Sequence, residues 1–284
     1  MPILYHYCST ATFHNIVGSK ALWLSSLTQS NDSSEGRVVS QAVARLATKD
    51  NLSDELTGHL LAAVSNMEGL FDGLGLCFST EGDLLSQWRA YTQDGAGLSV
   101  GFDKDYVEWL AESSRGTDVD FELKEVHYKP EIHDRLVAPA YTKLRCLLES
   151  DDDFPPGKPG TLQDASDPKS VELCGRLAVL TLLQAAMESF GEVFSLKHEA
   201  FAEEKEWRLL HYFGWLPTNP CLYRTAAGRI VPYKVCALRD LSRRPVIEVV
   251  LGPRHTTPIQ VVENYLTQHG FGNVKVKQSI APYR

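Results

Sequence analysis

Phe201-Ala202-Glu203-Glu204-Lys205-Glu206-Trp207-Arg208-Leu209-Leu210-His211-Tyr212 is the stretch on which the fold turns. Its first part is a charged run, and residues 206–212 read as a strand with Trp207 and Leu209 on one side by the period of two. This late strand has early counterparts in Leu4-Tyr5-His6-Tyr7 and Ala21-Leu22-Trp23-Leu24-Ser25, followed by strands at 76–79 and 98–102. Residues 118–128 look extended, and a hairpin joins 222–225 to 230–234 through Ala226-Ala227-Gly228-Arg229. A buried strand at 246–251 ends at Gly252-Pro253, and a last strand covers 274–277.

Helices are expected between these strands. Ser9 or Thr10 caps one that runs to about residue 19. Val38, Val39, Ala42, Val43 and Leu46 recur at helical spacing, and Ser53 opens a helix carrying Leu56, Leu60, Leu61 and Val64. Asp83 is placed to cap a short helix over 84–91, and Asp103 one that reaches about 114. Further helices are expected at 131–149, 171–190 and 257–269. Strands from both ends of the chain with most helices between them predict an α+β fold. The expectation is a single domain over 1–284, with 103–200 as a mainly helical insertion. Within it, residues 150–168, rich in Asp, Pro and Gly, read as a mobile acidic loop.

The chain has 284 residues, long enough to bury a sizeable core, with 43% hydrophobic and 23% charged residues. No apolar run is long enough to span a bilayer, and Met1-Pro2-Ile3-Leu4-Tyr5-His6 lacks the pattern of a signal peptide, so a cytoplasmic protein with no membrane partner is expected. Six scattered cysteines without a C-x-x-C pair read as reduced core residues, and the nine histidines form no metal motif. The net charge of −8 is uneven: residues 1–223 carry 18 Lys/Arg against 33 Asp/Glu, and 224–284 carry 10 against 3. The acidic body does not suit nonspecific duplex binding. The basic segment would attract a phosphorylated ligand or nucleic acid, or simply pair with that body.

Several common sites are excluded. No glycine-rich loop leads into Gly-Lys-Ser/Thr, Gly95-Ala96-Gly97 precedes a strand rather than following one, and no G-x-S-x-G elbow occurs. Four segments carry more chemistry than packing needs. His6 lies opposite Tyr5 and Tyr7 on its strand and can meet a ribose hydroxyl, or be a satisfied half-buried histidine. Asn31-Asp32-x-x-Glu35 reads as a capping box with Asp at the cap. Ser86-Gln87-Trp88-Arg89-Ala90-Tyr91 puts aromatics beside a planar cation, suited to a stacked ring and a diphosphate or to an aromatic core helix. Glu204 and Glu206 share a face if their segment is extended, and paired carboxylates stabilise an oxocarbenium-like centre. With Lys205 and Arg208 they would equally form a solvated, ion-paired edge.

As a set these pieces resemble the bacterial family catalogued as domain of unknown function 2971. The matching residues are Leu4-Tyr5-His6-Tyr7, Leu22-Trp23-Leu24-Ser25, Asn31-Asp32-x-x-Glu35, Cys77-Phe78-Ser79 and Ser86-Gln87-Trp88-Arg89-Ala90-Tyr91. Gly97 to Phe102, Glu204-x-Glu206-Trp207-Arg208 and Leu251-Gly252-Pro253 complete them. Ser33 departs from the Pro common in the family at that turn. The order of motifs more loosely resembles ADP-ribosyltransferases, which implies a mixed split β-sheet core and NAD as substrate. Under that resemblance Glu206 is catalytic with Glu204 as accessory, and His6, Tyr7, Ser79, Trp88, Arg89 and Tyr91 bind NAD. It implies transfer of ADP-ribose to an unidentified acceptor (protein, nucleic acid or small molecule) or NAD hydrolysis, as in a toxin or phage-defence effector, with no metal. A non-catalytic nucleotide-ligand sensor and a metal-dependent nuclease remain the alternatives.

Overall fold

Alternation of apolar residues writes the strands. In the computed structural model, which describes residues 2–29, 35–117, 119–149, 192–214, 221–226 and 228–282, ten strands join in one mixed sheet. They are β1 (Ile3–Cys8), β2 (Ala21–Ser26), β3 (Phe71–Ser79), β4 (Leu98–Asp103), β5 (Glu122–Glu125), β6 (Glu206–Gly214), β7 (Leu222–Ala226), β8 (Arg229–Ala237), β9 (Val246–Leu251) and β10 (Lys275–Gln278). Their order is β10-β9-β4-β1-β3-β2-β8-β7, and β6 pairs with β3 and β5 off that path. β9 and β10 are parallel, whereas β1 runs antiparallel to β3 and β4. The α+β class therefore holds at the level of a mixed sheet with several helices. The 171–190 helix, the 150–168 loop and Asn31-Asp32 of the capping box lie outside the described residues.

The helices are α1 (Thr10–Ser19), α2 (Glu35–Lys49), α3 (Asp54–Leu70), α4 (Leu85–Tyr91), α5 (Lys104–Glu112), α6 (Pro130–Glu149) and α7 (Ile259–Gln268). Ser9 caps α1 by accepting from the Thr12 N–H, and Asp103 caps α5 by accepting from Asp105 N–H. Asp83 does not cap α4. The cap position is Leu84, without a side-chain bond. Asp83 accepts instead from the Trp88 indole N–H at 2.7 Å, from Ser279 Oγ at 2.5 Å and from the Ile280 N–H at 2.8 Å. A buried indole N–H needs an acceptor, and the Leu84 N–H at the helix start already donates to Tyr7.

The chain divides into two compact units. One comprises the described parts of Met1–Ser30, Gly73–Val126 and Ala200–Arg284. One face of its sheet sets Leu4, Leu22, Phe78, Phe102, Val249 and Leu209 in a single apolar core with Ile16 of α1, Leu110 of α5 and Leu266 of α7. Each such side chain contributes about 1.5–3 kcal/mol by leaving water. On the opposite face Trp88 of α4 packs on Tyr7 and Val250. The other unit comprises the described parts of Asn31–Asp72 and His127–Glu199, where α2, α3 and α6 share a core of Val39, Val43, Leu60, Tyr141 and Leu144.

Two glycines fix one corner of the sheet. A Cβ on Gly97 would lie 2.1 Å from the Cys8 carbonyl oxygen, and one on Gly252 would lie 2.4 Å from that of Gly95. The Gly252 N–H donates to the Gly97 carbonyl and the Arg254 N–H to that of Gly95, so the turn before β4 and the turn after β9 lock backbone to backbone. Cys8 and Cys236 are buried thiols, with burial raising each pKa to about 12, whereas Cys146 is exposed and is not a core residue. No helix among the described residues is long and apolar enough to cross a membrane.

Candidate functional site

Strand register decides which sequence-nominated residues can meet. Tyr5 faces Ser79 across β1–β3 and Gly101 across β1–β4, while Tyr7 faces Ser99 and His6 faces Val100. Tyr5, Tyr7, Ser79 and Ser99 thus share one sheet face, and His6 lies on the other with the apolar core. There the His6 ring meets Phe78 edge-on, and its Nδ1 lies 2.9 Å from the Cys77 carbonyl. A carbonyl only accepts, so Nδ1 carries the proton. Desolvation lowers the His6 pKa, partly offset by that bond. His6 is a satisfied half-buried histidine, apart from the other candidates.

The face that carries Tyr7 holds a continuous polar chain. Tyr7 donates to the Glu81 carbonyl at 2.7 Å and accepts from the Leu84 N–H at 2.9 Å. Desolvation, outweighing the bond from the Leu84 N–H, pushes the Tyr7 phenol well above its ordinary pKa. Ser79 Oγ accepts from the Glu81 N–H and donates to the Glu204 carbonyl at 2.7 Å. Thr80 N–H donates to the Lys205 carbonyl, and Lys205 Nζ pairs with Glu81 Oε1 at 2.6 Å. Tyr91, exposed on α4, donates to Glu204 Oε1 at 3.3 Å. Arg89 is exposed on the same helix. Trp88 is fully buried, its ring 4.9 Å from that of Tyr7 at 75°, so it supports α4 and offers no face to a ligand.

The two glutamates part company. Glu204 closes a 3-10 helix, Glu199–Glu204, and Lys205 adopts a left-handed φ of 44° before β6 starts at Glu206. The segment is not extended through this point, so the shared face expected for Glu204 and Glu206 does not exist. Glu204 is half-buried, whereas Glu206 is 4% exposed and Arg208 1%. Arg208 Nε donates to Glu206 Oε1 at 2.8 Å and Nη2 to Oε2 at 3.0 Å, a fork matched to both carboxylate oxygens. Their spacing of two along β6 puts them on one face, opposite Trp207 and Leu209. The expected solvated edge is a buried ion pair, and Arg208 is the partner charge that the sequence suggested.

The site thus gathers Tyr7, Ser79, Tyr91 and Glu204, with Glu81 and Lys205 beside them. Sequence reading missed Glu81, which nothing local marks, whereas Lys205 was read as an ion-pairing residue and does pair, with Glu81. It also missed a second cluster on the Tyr5 face: Tyr5 donates to Glu248 Oε1 at 2.8 Å, and Lys277 Nζ pairs with the same oxygen at 2.8 Å. Gly82 makes room for it, since a Cβ there would lie 2.4 Å from the Tyr5 ring. Among the described residues no group of three or more His, Cys, Asp and Glu is arranged to hold a metal ion.

No curated protein and no solved structure matches the chain. The model of a family described as protein of unknown function (DUF2971) does match, over residues 87–209. That span holds Trp88, Arg89, Tyr91, Glu204, Glu206 and Arg208, and leaves His6, Tyr7 and Ser79 outside it. Over the stretch from α4 to the first residues of β6, the chain is similar to that family of unknown function.

Proposed function

We propose that the chain acts on the glycosidic bond of NAD, as an ADP-ribosyltransferase or NAD glycohydrolase, with Glu204 as the acting carboxylate. The observation that carries this reading is the Glu204 side chain, half-buried, touching the exposed Tyr91 hydroxyl, on a turn clamped by Ser79. A strained non-glycine residue, Lys205, follows immediately, and strain of this kind concentrates at functional sites. The sheet is continuous, but its join at β3 is narrow, with Tyr5↔Ser79 to β1 and Ser25↔Gly75 and Ser26↔Leu74 to β2.

In this reading the bond between the ribose anomeric carbon and nicotinamide breaks, and its electron pair leaves with nicotinamide. Glu204 stabilises the oxocarbenium-like charge, an acceptor oxygen or nitrogen bonds to the anomeric carbon, and its proton passes to Glu204. Tyr91 offers a ring face to nicotinamide and Arg89 a planar cation to the diphosphate. Glu206 has a different role from the one the motif order implied: held by Arg208, it anchors β6 beneath the turn.

A second reading, a nucleotide-binding module without turnover, is favoured by two facts: Glu206 is occupied by Arg208, and His6 faces the core. Incubation with NAD and chromatographic detection of nicotinamide separates the two. Catalysis predicts nicotinamide release in proportion to enzyme, with or without a lysate acceptor. A rise in melting temperature with NAD but no release assigns the second reading. Neither release nor a shift removes NAD from the account.

A further inference from the structure

The hairpin of β7 and β8 reaches past the strands that carry it. β2 pairs with β8 from Ala21↔Ala237 to Ser25↔Tyr233, whereas β7 continues along β8 from Leu222↔Tyr233 to Ala226↔Arg229. Beyond Tyr233 the ribbon is two-stranded, a form marginal on its own. β7 ends the strand order on that side, so among the described residues its outer backbone edge pairs with no strand. It has no proline and no break in register with β8, two devices that ordinarily guard an edge.

The exposed side chains of this hairpin are mainly apolar and basic. Seven large hydrophobic residues are exposed among the described ones, and four of them lie on β7 and β8: Leu222 at 52%, Tyr223 at 60%, Ile230 at 68% and Val235 at 36%. Scattered exposed apolar residues are normal, but a concentration marks an interaction surface. Residues 222–237 contain Arg224, Arg229 and Lys234 and no Asp or Glu. Register sorts them further. Arg224 lies opposite Val231 and Ala226 opposite Arg229, so both arginines fall on one face, with Leu222. Tyr223 opposite Pro232 and Thr225 opposite Ile230 put Tyr223 and Ile230 on the other.

We infer that β7 is a docking edge for an extended peptide of a partner protein in which acidic and apolar residues alternate. Added as a strand, such a peptide satisfies the free backbone edge. Its acids fall against Arg229 and beside Arg224, whose half-buried guanidinium also donates to Ser25 Oγ of β2, and its apolar side chains fall against Tyr223 and Ile230. A second copy of this chain fits less well, because symmetric antiparallel pairing of β7 sets Arg224 against Arg224, and like charges directly opposite destabilise a sheet. Single-stranded nucleic acid would leave Leu222 and Ile230 without use, on a chain of net charge −8.

Fluorescence anisotropy with the full chain tests this, using a labelled synthetic peptide that alternates valine and glutamate, a valine–lysine counterpart and a single-stranded oligonucleotide. The valine–glutamate peptide should bind saturably. Arg224→Glu with Arg229→Glu should weaken it at least about tenfold and let the valine–lysine peptide bind instead. Ile230→Lys, at an exposed position on the opposite face, should also abolish binding and serves if the double variant unfolds. No binding of the valine–glutamate peptide, or binding indifferent to these substitutions, overturns the inference. So does tighter binding of the oligonucleotide, or a dimer in sedimentation that Ile230→Lys dissolves.

Discussion

At Lys205 the backbone changes hand, and the roles of two glutamates change with it. An extended chain would put Glu204 and Glu206 side by side. A left-handed residue between them sends one outward on a 3-10 turn and the other into the sheet. Glycine or asparagine at that position would have announced the turn, but lysine does not, because its side chain gains nothing from this conformation. The same limit hid Glu81, whose importance comes from contacts made over more than a hundred residues of sequence. What was legible at this scale was the pairing of Arg208 with a glutamate, since a spacing of two on a strand brings both to one face. The buried fork makes a sharp prediction. Arg208→Met leaves Glu206 without the fork in a dry place, and should cost about 3–5 kcal/mol in urea denaturation. A loss under about 0.5 kcal/mol, the range of ordinary surface changes, would contradict the burial of the pair.

Elements followed their local rules closely. The Ser9 and Asp103 caps, the strands β1, β2, β4 and β9, and the β7–β8 hairpin with glycine in its turn all stand where patterning puts them. What patterning missed was tertiary competition: Asp83 was free to cap α4 but was drawn to the Trp88 indole instead. The glycines around β4 and β9 looked like punctuation and are a backbone contact. Gly97→Ala should therefore destabilise by about 1–3 kcal/mol, because the methyl meets a strand carbonyl at 2.1 Å rather than a side chain able to move aside. Gly58→Ala in α3, where a Cβ meets nothing within 4 Å, should stabilise by about 0.5–1 kcal/mol. Calorimetric melting of the two variants checks the contrast, and equal shifts of one sign would contradict it.

For the whole molecule, the sequence supported a mixed α+β architecture from strands at both ends, and the sheet has that character. Which strand lies beside which was not legible, since β1 touches β3 and β4 through contacts that composition does not encode. Stability against acid is a property of this scale. His6, His133 and His211 each have a pKa lowered from 6.5, chiefly by desolvation. The folded state holds them neutral while the unfolded chain takes up protons first, so their contribution is intact above the ordinary histidine pKa and is lost as pH falls through the lowered values. The melting temperature should fall as pH is lowered from about 7.5 to about 5.5. His6→Gln should flatten that slope while keeping a donor for the Cys77 carbonyl, and an unchanged slope would exclude His6 from the effect.

In the proposed reaction Glu204, and not Glu206, faces NAD. Nicotinamide release from NAD by Glu204→Gln and Glu206→Gln, each compared with wild type at a temperature where all three are folded, tests it most directly. Glu204→Gln should lose at least about a hundredfold in rate with its melting temperature unchanged. Glu206→Gln should melt earlier yet retain most of its activity while folded. Full activity in Glu204→Gln, or its loss in a folded Glu206→Gln alone, would contradict the claim.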